Sequence, residues 1–383
     1  MSLSNEDMVN KLLQEHVTQK KWQEAQRLCI PEVNATAPSK EVLSKILIDQ
    51  ISWAPVGFIE VLCATTVNRP DTTTVSSALE KAVDNLWRDE WSTIEYLCKL
   101  QTDNKPNQAA INKSLKKAVE RSYWKLAVQL CTMTSDNKPD AQSVEHALIQ
   151  MAFYNQKDSV AALCMMKTDN RPTKDSVNKA LQKAAQGKEW TMVEYLCSLQ
   201  TDNMPDQKSV SKALTAAIDE RNWKLAVQLC AMTGDNQPDA QSVEYALIQM
   251  AFYNQKDSVA TLCAMKTDNK PTQDSVNKAL KKAAESKEWG IVEYLCTLQS
   301  NNKPNQETVS YSLRKALEYK QWQFAARLCA MTTENRPDAP TIAHALSEMA
   351  FYGKTDLVKT LCSMETDNKP DQKAVSFALE RAA

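Results

Sequence analysis

Glycine is scarce, with 5 in 383 residues, and that shortage removes the glycine-rich phosphate loop from the range of functions. GxSxG, HExxH and CxxC patterns are all missing, which takes away the usual signatures of hydrolase, zinc and dithiol chemistry. Histidine is limited to His16, His146 and His344. His146 and His344 share a repeat position at which the intervening copy carries Tyr245, an exchange that a general base would not survive. The chain is therefore expected to be no enzyme and to use no cofactor or metal.

Charge of one sign is missing too. Lys+Arg 46 against Asp+Glu 47 leaves a formal charge of -1, so no net field draws the chain toward nucleic acid or anionic lipid. No run approaches the roughly 18 apolar residues of a membrane span, and the opening MSLSNEDMVNKLLQEHVTQKKW lacks the apolar core of a signal peptide. No membrane insertion is expected, and the location expected is the cytoplasm.

What the chain does have is a period. All eleven cysteines follow a leucine, at Cys29, Cys63, Cys98, Cys131, Cys164, Cys197, Cys230, Cys263, Cys296, Cys329 and Cys362, with spacings of 34, 35 and then 33 eight times. Six residues after each of the last nine comes Asn-x-Pro, and Asn68-Arg69-Pro70 is a slightly shifted earlier copy. The residue after proline is Asp, Asn or Thr in all ten turns, from Asp71 to Asp371. Each can cap a helix, because its side-chain oxygen accepts from an orphan backbone N–H.

Apolar residues then recur on one helical face, as in Val276, Ala279, Leu280, Ala283 and Ala284, which defines helix A. A polar break such as 285–288 leads to Trp289, Val292, Leu295 and Cys296, a second amphipathic segment, helix B, of about eleven residues. No segment alternates with period 2, so no strand is expected.

The fold class expected is all-α: an elongated, right-handed α-solenoid of about eleven two-helix repeats of 33 residues. Neither helix covers its own apolar face, so the pairs must stack and share one core. With packed helices 8 to 10 Å apart the stack would run on the order of 100 Å. Residues 1–383 form one solenoid, with divergent repeats over 1–70, regular ones over 71–370 and the start of another over 371–383, which leaves a longer natural chain open. A second period overlies the first, since Trp124–Asn203 and Trp223–Asn302 match at 64 of 80 positions, three repeats apart.

Ala279 to Cys296, ALKKAAESKEWGIVEYLC, resembles the helical half of an ankyrin repeat in its paired alanines, short inter-helix turn and Ile-Val-x-x-Leu segment, and the period agrees. The ankyrin Thr-Pro-Leu-His, Gly-His and Gly-Ala-Asp motifs are not present, and LQSNNKPNQETV from Leu298 to Val309 reads as a proline turn followed by a lengthened helix A. The resemblance implies an ankyrin-like solenoid without the β-hairpin. Degenerate repeats in near-identical tandem blocks also resemble the repeat-bearing effectors that intracellular bacteria deliver into host cells. That implies a chain acting in host cytoplasm, reached by a non-Sec route.

The cysteines occupy one inward helix B position and are expected to be core fillers. The tryptophans opening helix B, Trp22, Trp91, Trp124, Trp190, Trp223, Trp289 and Trp322, lead the cysteine by seven residues and are expected to pack between repeats, the alternative being a base-stacking ladder. In three copies Lys157, Lys256 or Thr355 replaces that tryptophan, beside Phe153, Phe252 and Phe351. These phenylalanines are expected to swing inward and fill the vacated volume.

The outward positions of helix A vary most. Along the chain they read Lys113, Lys116, Lys117; His146, Ile149, Phe153; Lys179, Lys183; Lys212; Tyr245, Ile248, Phe252; Lys278, Lys281, Lys282; Tyr311, Arg314, Lys315; His344 and Phe351. Basic and aromatic-apolar stations alternate on what is expected to be a concave face. Two functions fit this ribbon. One is a scaffold, expected to be monomeric, that binds a protein or peptide with aromatic anchors between charged contacts. The other, placed second, is a nucleic-acid-binding solenoid tracking a phosphate backbone.

Overall fold

The structure is a computed structural model, and it describes residues 4–30, 36–64, 68–85, 91–134, 136–364 and 369–382. Among the described residues there are 23 α-helices and no strand. The chain divides into two compact units, Met1–Met204 and Pro205–Ala383. The first holds α1 (Asn5–Thr18), α2 (Trp22–Cys29), α3 (Lys40–Gln50), α4 (Val56–Ala64), α5 (Thr72–Asp84), α6 (Ser92–Lys99), α7 (Gln108–Glu120) and α8 (Trp124–Cys131). It continues with α9 (Ala141–Phe153), α10 (Lys157–Cys164), α11 (Lys174–Gln186) and α12 (Trp190–Cys197). The second begins with α13 (Gln207–Asp219), α14 (Trp223–Cys230), α15 (Ala240–Phe252), α16 (Lys256–Cys263), α17 (Gln273–Glu285) and α18 (Trp289–Cys296). It ends with α19 (Gln306–Glu318), α20 (Trp322–Cys329), α21 (Ala339–Phe351), α22 (Thr355–Cys362) and α23 (Gln372–Ala382). Odd numbers are helix A and even numbers helix B.

Each expected cap is in place. Asp71 accepts from Thr74 N–H at 2.9 Å, Asp206 from Ser209 at 2.7 Å, Asn305 from Thr308 at 2.9 Å and Asp371 from Ala374 at 2.7 Å. The Thr74 N–H, helped by Lys40, holds the Asp71 carboxyl down at about 2. Helix B is shorter than the pattern predicts, eight residues in every repeat from α6 to α22. Two residues before its first, the backbone is left-handed, as at Lys188, Arg221, Lys287 and Lys320 with φ from 57 to 65°. The following N–H then donates back into helix A, Glu189 to the Ala184 carbonyl at 2.9 Å and Asn222 to Ala217 at 2.8 Å. That is the six-to-one bond of a Schellman turn. At the far end, helix B stops at the cysteine in every copy from α8 to α22.

Within each unit, helix A packs on the next helix A and helix B lies alongside. In the second unit α13, α15, α17, α19, α21 and α23 follow one another, with α14 beside α16 and α20 beside α22. The shared core repeats: Val243, Ala246, Leu247, Met250 and Ala251 of α15 meet Val259, Leu262 and Cys263 of α16, all buried. Fully burying each large side chain is worth about 1.5–3 kcal/mol.

A polar ladder runs beside this core. The asparagine of each described Asn-x-Pro turn from Asn104 to Asn335 is buried. Its Nδ2 reaches back to carbonyls of the preceding repeat: Asn104 to Pro70 at 3.0 Å, Asn137 to Pro106 at 2.8 Å, Asn203 to Pro172 at 2.9 Å and Asn302 to Pro271 at 3.2 Å. The same groups reach the cysteine carbonyl that ends the earlier helix B, Asn170 to Cys131 at 3.3 Å and Asn269 to Cys230 at 3.4 Å. These last carbonyls have no partner within their own helix, so the next repeat caps them.

Candidate functional site

Ten cysteines are buried and Cys362 is half-buried. Burial pushes the thiols of Cys131, Cys197, Cys230, Cys296 and Cys329 up to about 12. They lie in the column of core side chains, and no group of three metal-ligating side chains forms among the described residues. Among those residues, no helix is long and apolar enough to cross a membrane.

The tryptophans do pack between repeats, but at the edge of the core, where each is half-buried. Trp124 lies 5.6 Å from Tyr154, Trp223 5.6 Å from Tyr253, Trp289 6.1 Å from Tyr319 and Trp322 5.0 Å from Tyr352, centroid to centroid. The tyrosine always belongs to the inter-helix turn of the next copy. A cation covers several of these rings, Arg221 over Tyr253 and Lys287 over Tyr319 at 4.3 Å each. Each of these four tryptophans is thus engaged by a tyrosine of the next copy.

The phenylalanines do not swing inward. Phe153 and Phe252 are half-buried and Phe351 is 55% exposed. Each is the last residue of its helix A, so its side chain leans out over the next helix A rather than into the gap beside helix B. Phe153 lies close enough to α11 that a Cβ at Gly187 would come within 3.1 Å of the ring. The ammonium of Lys183 stands 5.1 Å from its centroid, and Lys282 stands 5.1 Å from that of Phe252.

Along helix A several cations are tied to carboxylates. Lys113 pairs with Glu80 and Lys117 with Asp84. Lys179 bridges Glu145 at 2.9 Å and Asp175 at 2.8 Å, and Lys278 repeats this with Glu244 and Asp274 at the same distances. Hydrogen bonds to these carboxylates, Asp175 first and then Glu145, hold the Lys179 ammonium above the usual lysine range. Lys179 in turn pulls Glu145 below the usual carboxylate range. Tyrosines do the same, Tyr245 donating to Asp219 at 3.0 Å and Tyr311 to Glu285 at 3.1 Å. Arg314 donates to Thr341 at 3.2 Å.

The carboxylate partners were not foreseen, yet they leave a sequence signal. Glu80 and Asp84 precede Lys113 and Lys117 by 33 residues, Glu145 and Glu244 precede Lys179 and Lys278 by 34, and Asp219 and Glu285 precede their tyrosines by 26. A scan for opposite charge 33 or 34 residues apart finds the lysine pairs.

The other candidate positions differ in exposure. His146, Lys212 and His344 are exposed, Tyr245 is at the margin of exposure, and Ile149 and Ile248 are half-buried. In the first unit Lys113 and His146, with Asn112, Lys116, Gln142 and Ser143, line an open cleft of about 390 Å³ between α7 and α9. A second cleft, of about 450 Å³, opens on the helix B side between α6 and α8, with Ile94, Leu126 and Leu130 at its floor.

These features define an all-α helical-repeat protein in which charge is balanced between neighbouring copies. No family model matches the chain, and no curated protein matches its sequence. Among solved structures, the crystal structure of the pentatricopeptide repeat protein PPR10 from maize is similar at 14% identity and a TM-score of 0.26. That likeness covers 97% of this chain and 65% of the maize chain, so the chain spans less than two thirds of that protein's length.

Proposed function

We propose that the chain is a non-catalytic scaffold that binds a protein or peptide along helix A, at the stations around Ile149 and Phe153 and around Tyr245, Ile248 and Phe252. The observation that carries this is the pairing of Lys113, Lys117, Lys179 and Lys278 with carboxylates of their own or the neighbouring repeat. Phosphate tracking needs cations that can displace the counterions condensed on the phosphates, and paired lysines have little such field left. Apolar and aromatic side chains set among balanced charges are instead the composition of a protein-binding surface. The setting we propose is the cytoplasm, in a host cell for a chain delivered as the effectors it resembles are.

Bead-bound chain incubated with lysate should retain a defined set of proteins in both about 50 and about 200 mM salt. Tyr245→Ala with Ile248→Ala should lose part of that set. Retention of nucleic acid that collapses across the same salt range, with no protein set of its own, would replace this function with the nucleic-acid alternative.

A further inference from the structure

The Phe–cation pair at the end of helix A occurs three times, 99 residues apart, and one copy differs from the other two in a telling way. At the α21 station the cation is Arg381 of α23, 5.1 Å from the Phe351 ring, and it donates to Glu348 at 2.9 Å and Ser347 at 3.1 Å. That copy is closed on itself. In α9 and α15 the residue matching Glu348 is Gln150 or Gln249, and the matching cation, Lys183 or Lys282, meets no carboxylate among the described residues. Ser347 is likewise replaced by Ile149 or Ile248.

We infer that the α9 and α15 stations each take an acidic side chain of a partner peptide, with an apolar neighbour of that residue set against the isoleucine and phenylalanine. Glu348 marks the chemistry, since it is the carboxylate that the same architecture selects when it supplies its own. The lysine is held over an aromatic face, so it is oriented before the ligand arrives and loses less freedom on pairing. In a helical ligand the two side chains would stand three or four residues apart, on one face. This rests on the scaffold function proposed above and narrows the partner to an acidic amphipathic segment.

The test is selection of a displayed library of random 12-residue peptides on the whole chain, followed by fluorescence anisotropy with the best synthetic peptide. Enriched sequences should carry Asp or Glu three or four residues from Leu, Ile or Phe. Changing that acid to its amide should weaken binding about fivefold per station, the ceiling for a partly exposed ion pair. Q150E with Q249E, which supplies an internal carboxylate to both lysines, should weaken the acidic peptide by a similar factor. The surface variant K183Q with K282Q should do so as well, with helical circular dichroism unchanged, and E348Q should add a binding site.

Peptides without an acidic bias, still sensitive to Tyr245→Ala with Ile248→Ala, would overturn the acidic specificity and leave the scaffold standing. Enriched acidic peptides indifferent to both charge variants would overturn the assignment of the site. No enriched peptide at all would remove both.

Discussion

The indole of Trp223 lies against the ring of Tyr253, which opens the inter-helix turn of the next repeat, with centroids 5.6 Å apart and planes inclined by 39°. Arg221 also lies over the tyrosine, 4.3 Å from its centroid, so indole, phenol ring and guanidinium meet at the edge of the core. Trp223→Ala should cost about 2 kcal/mol, less than a fully buried aromatic would. A double-mutant cycle with Tyr253→Ala should give a coupling of about 1 kcal/mol in urea unfolding. Additive losses would mean that the two rings act independently.

The asparagine ladder makes a sharper demand. Asn269 is 5% exposed and donates to Pro238 at 3.1 Å and Cys230 at 3.4 Å. Asn269→Ala leaves those carbonyls without their donor and should cost about 1–3 kcal/mol. Asn269→Asp places a buried acid against two carbonyl oxygens, which raises its pKa in the folded state above the unfolded value of about 4. A raised folded pKa means that stability is kept below about pH 4 and lost as pH rises. The melting temperature of the Asp variant should therefore fall further below the parent at neutral pH than in acid.

Backbone conformation supplies an opposite pair of changes. Ser122 is exposed with φ 61°, a left-handed position, whereas Gly353 holds the matching place with φ 66° and open space around it. Ser122→Gly should raise stability by about 0.5–1 kcal/mol, because glycine adopts that φ without a steric penalty. Gly353→Ala should lower it by about 1 kcal/mol. Chemical denaturation midpoints would read both.

Alkaline pH should unfold the chain cooperatively. The buried thiols are raised from 9.0 to about 12 by desolvation, as at Cys230 and Cys296. Unfolded cysteines ionise first, so the unfolded state holds fewer protons and stability falls as pH rises from about 9 toward 12. At about pH 10 each thiol removes roughly 1 kcal/mol, and ten act together. Helical circular dichroism should collapse within that window, and before it a thiol reagent should label Cys362 ahead of the buried positions.

The period, the helix A caps and the inward place of cysteine were legible because each is a local pattern. Asp71 to Asp371 cap helices whichever repeat they belong to, and the Leu-Cys pair follows the core stripe of helix B. The asparagines were read as turn markers alone. Their second task lies in a bond to a carbonyl 31 or 39 residues back, which no local window contains. The phenylalanines were misplaced because vacated volume was weighed above side-chain direction at a helix end. The lysine ribbon looked basic because Glu80, Asp84, Glu145 and Glu244 precede their partners by a whole repeat.

The backward reach of Asn302 to Pro271 has a consequence for how such a chain changes length. Each seam is written half in one copy and half in its successor, so recombination that adds or removes whole copies rejoins a donor to an acceptor. A cut at any other length strands both.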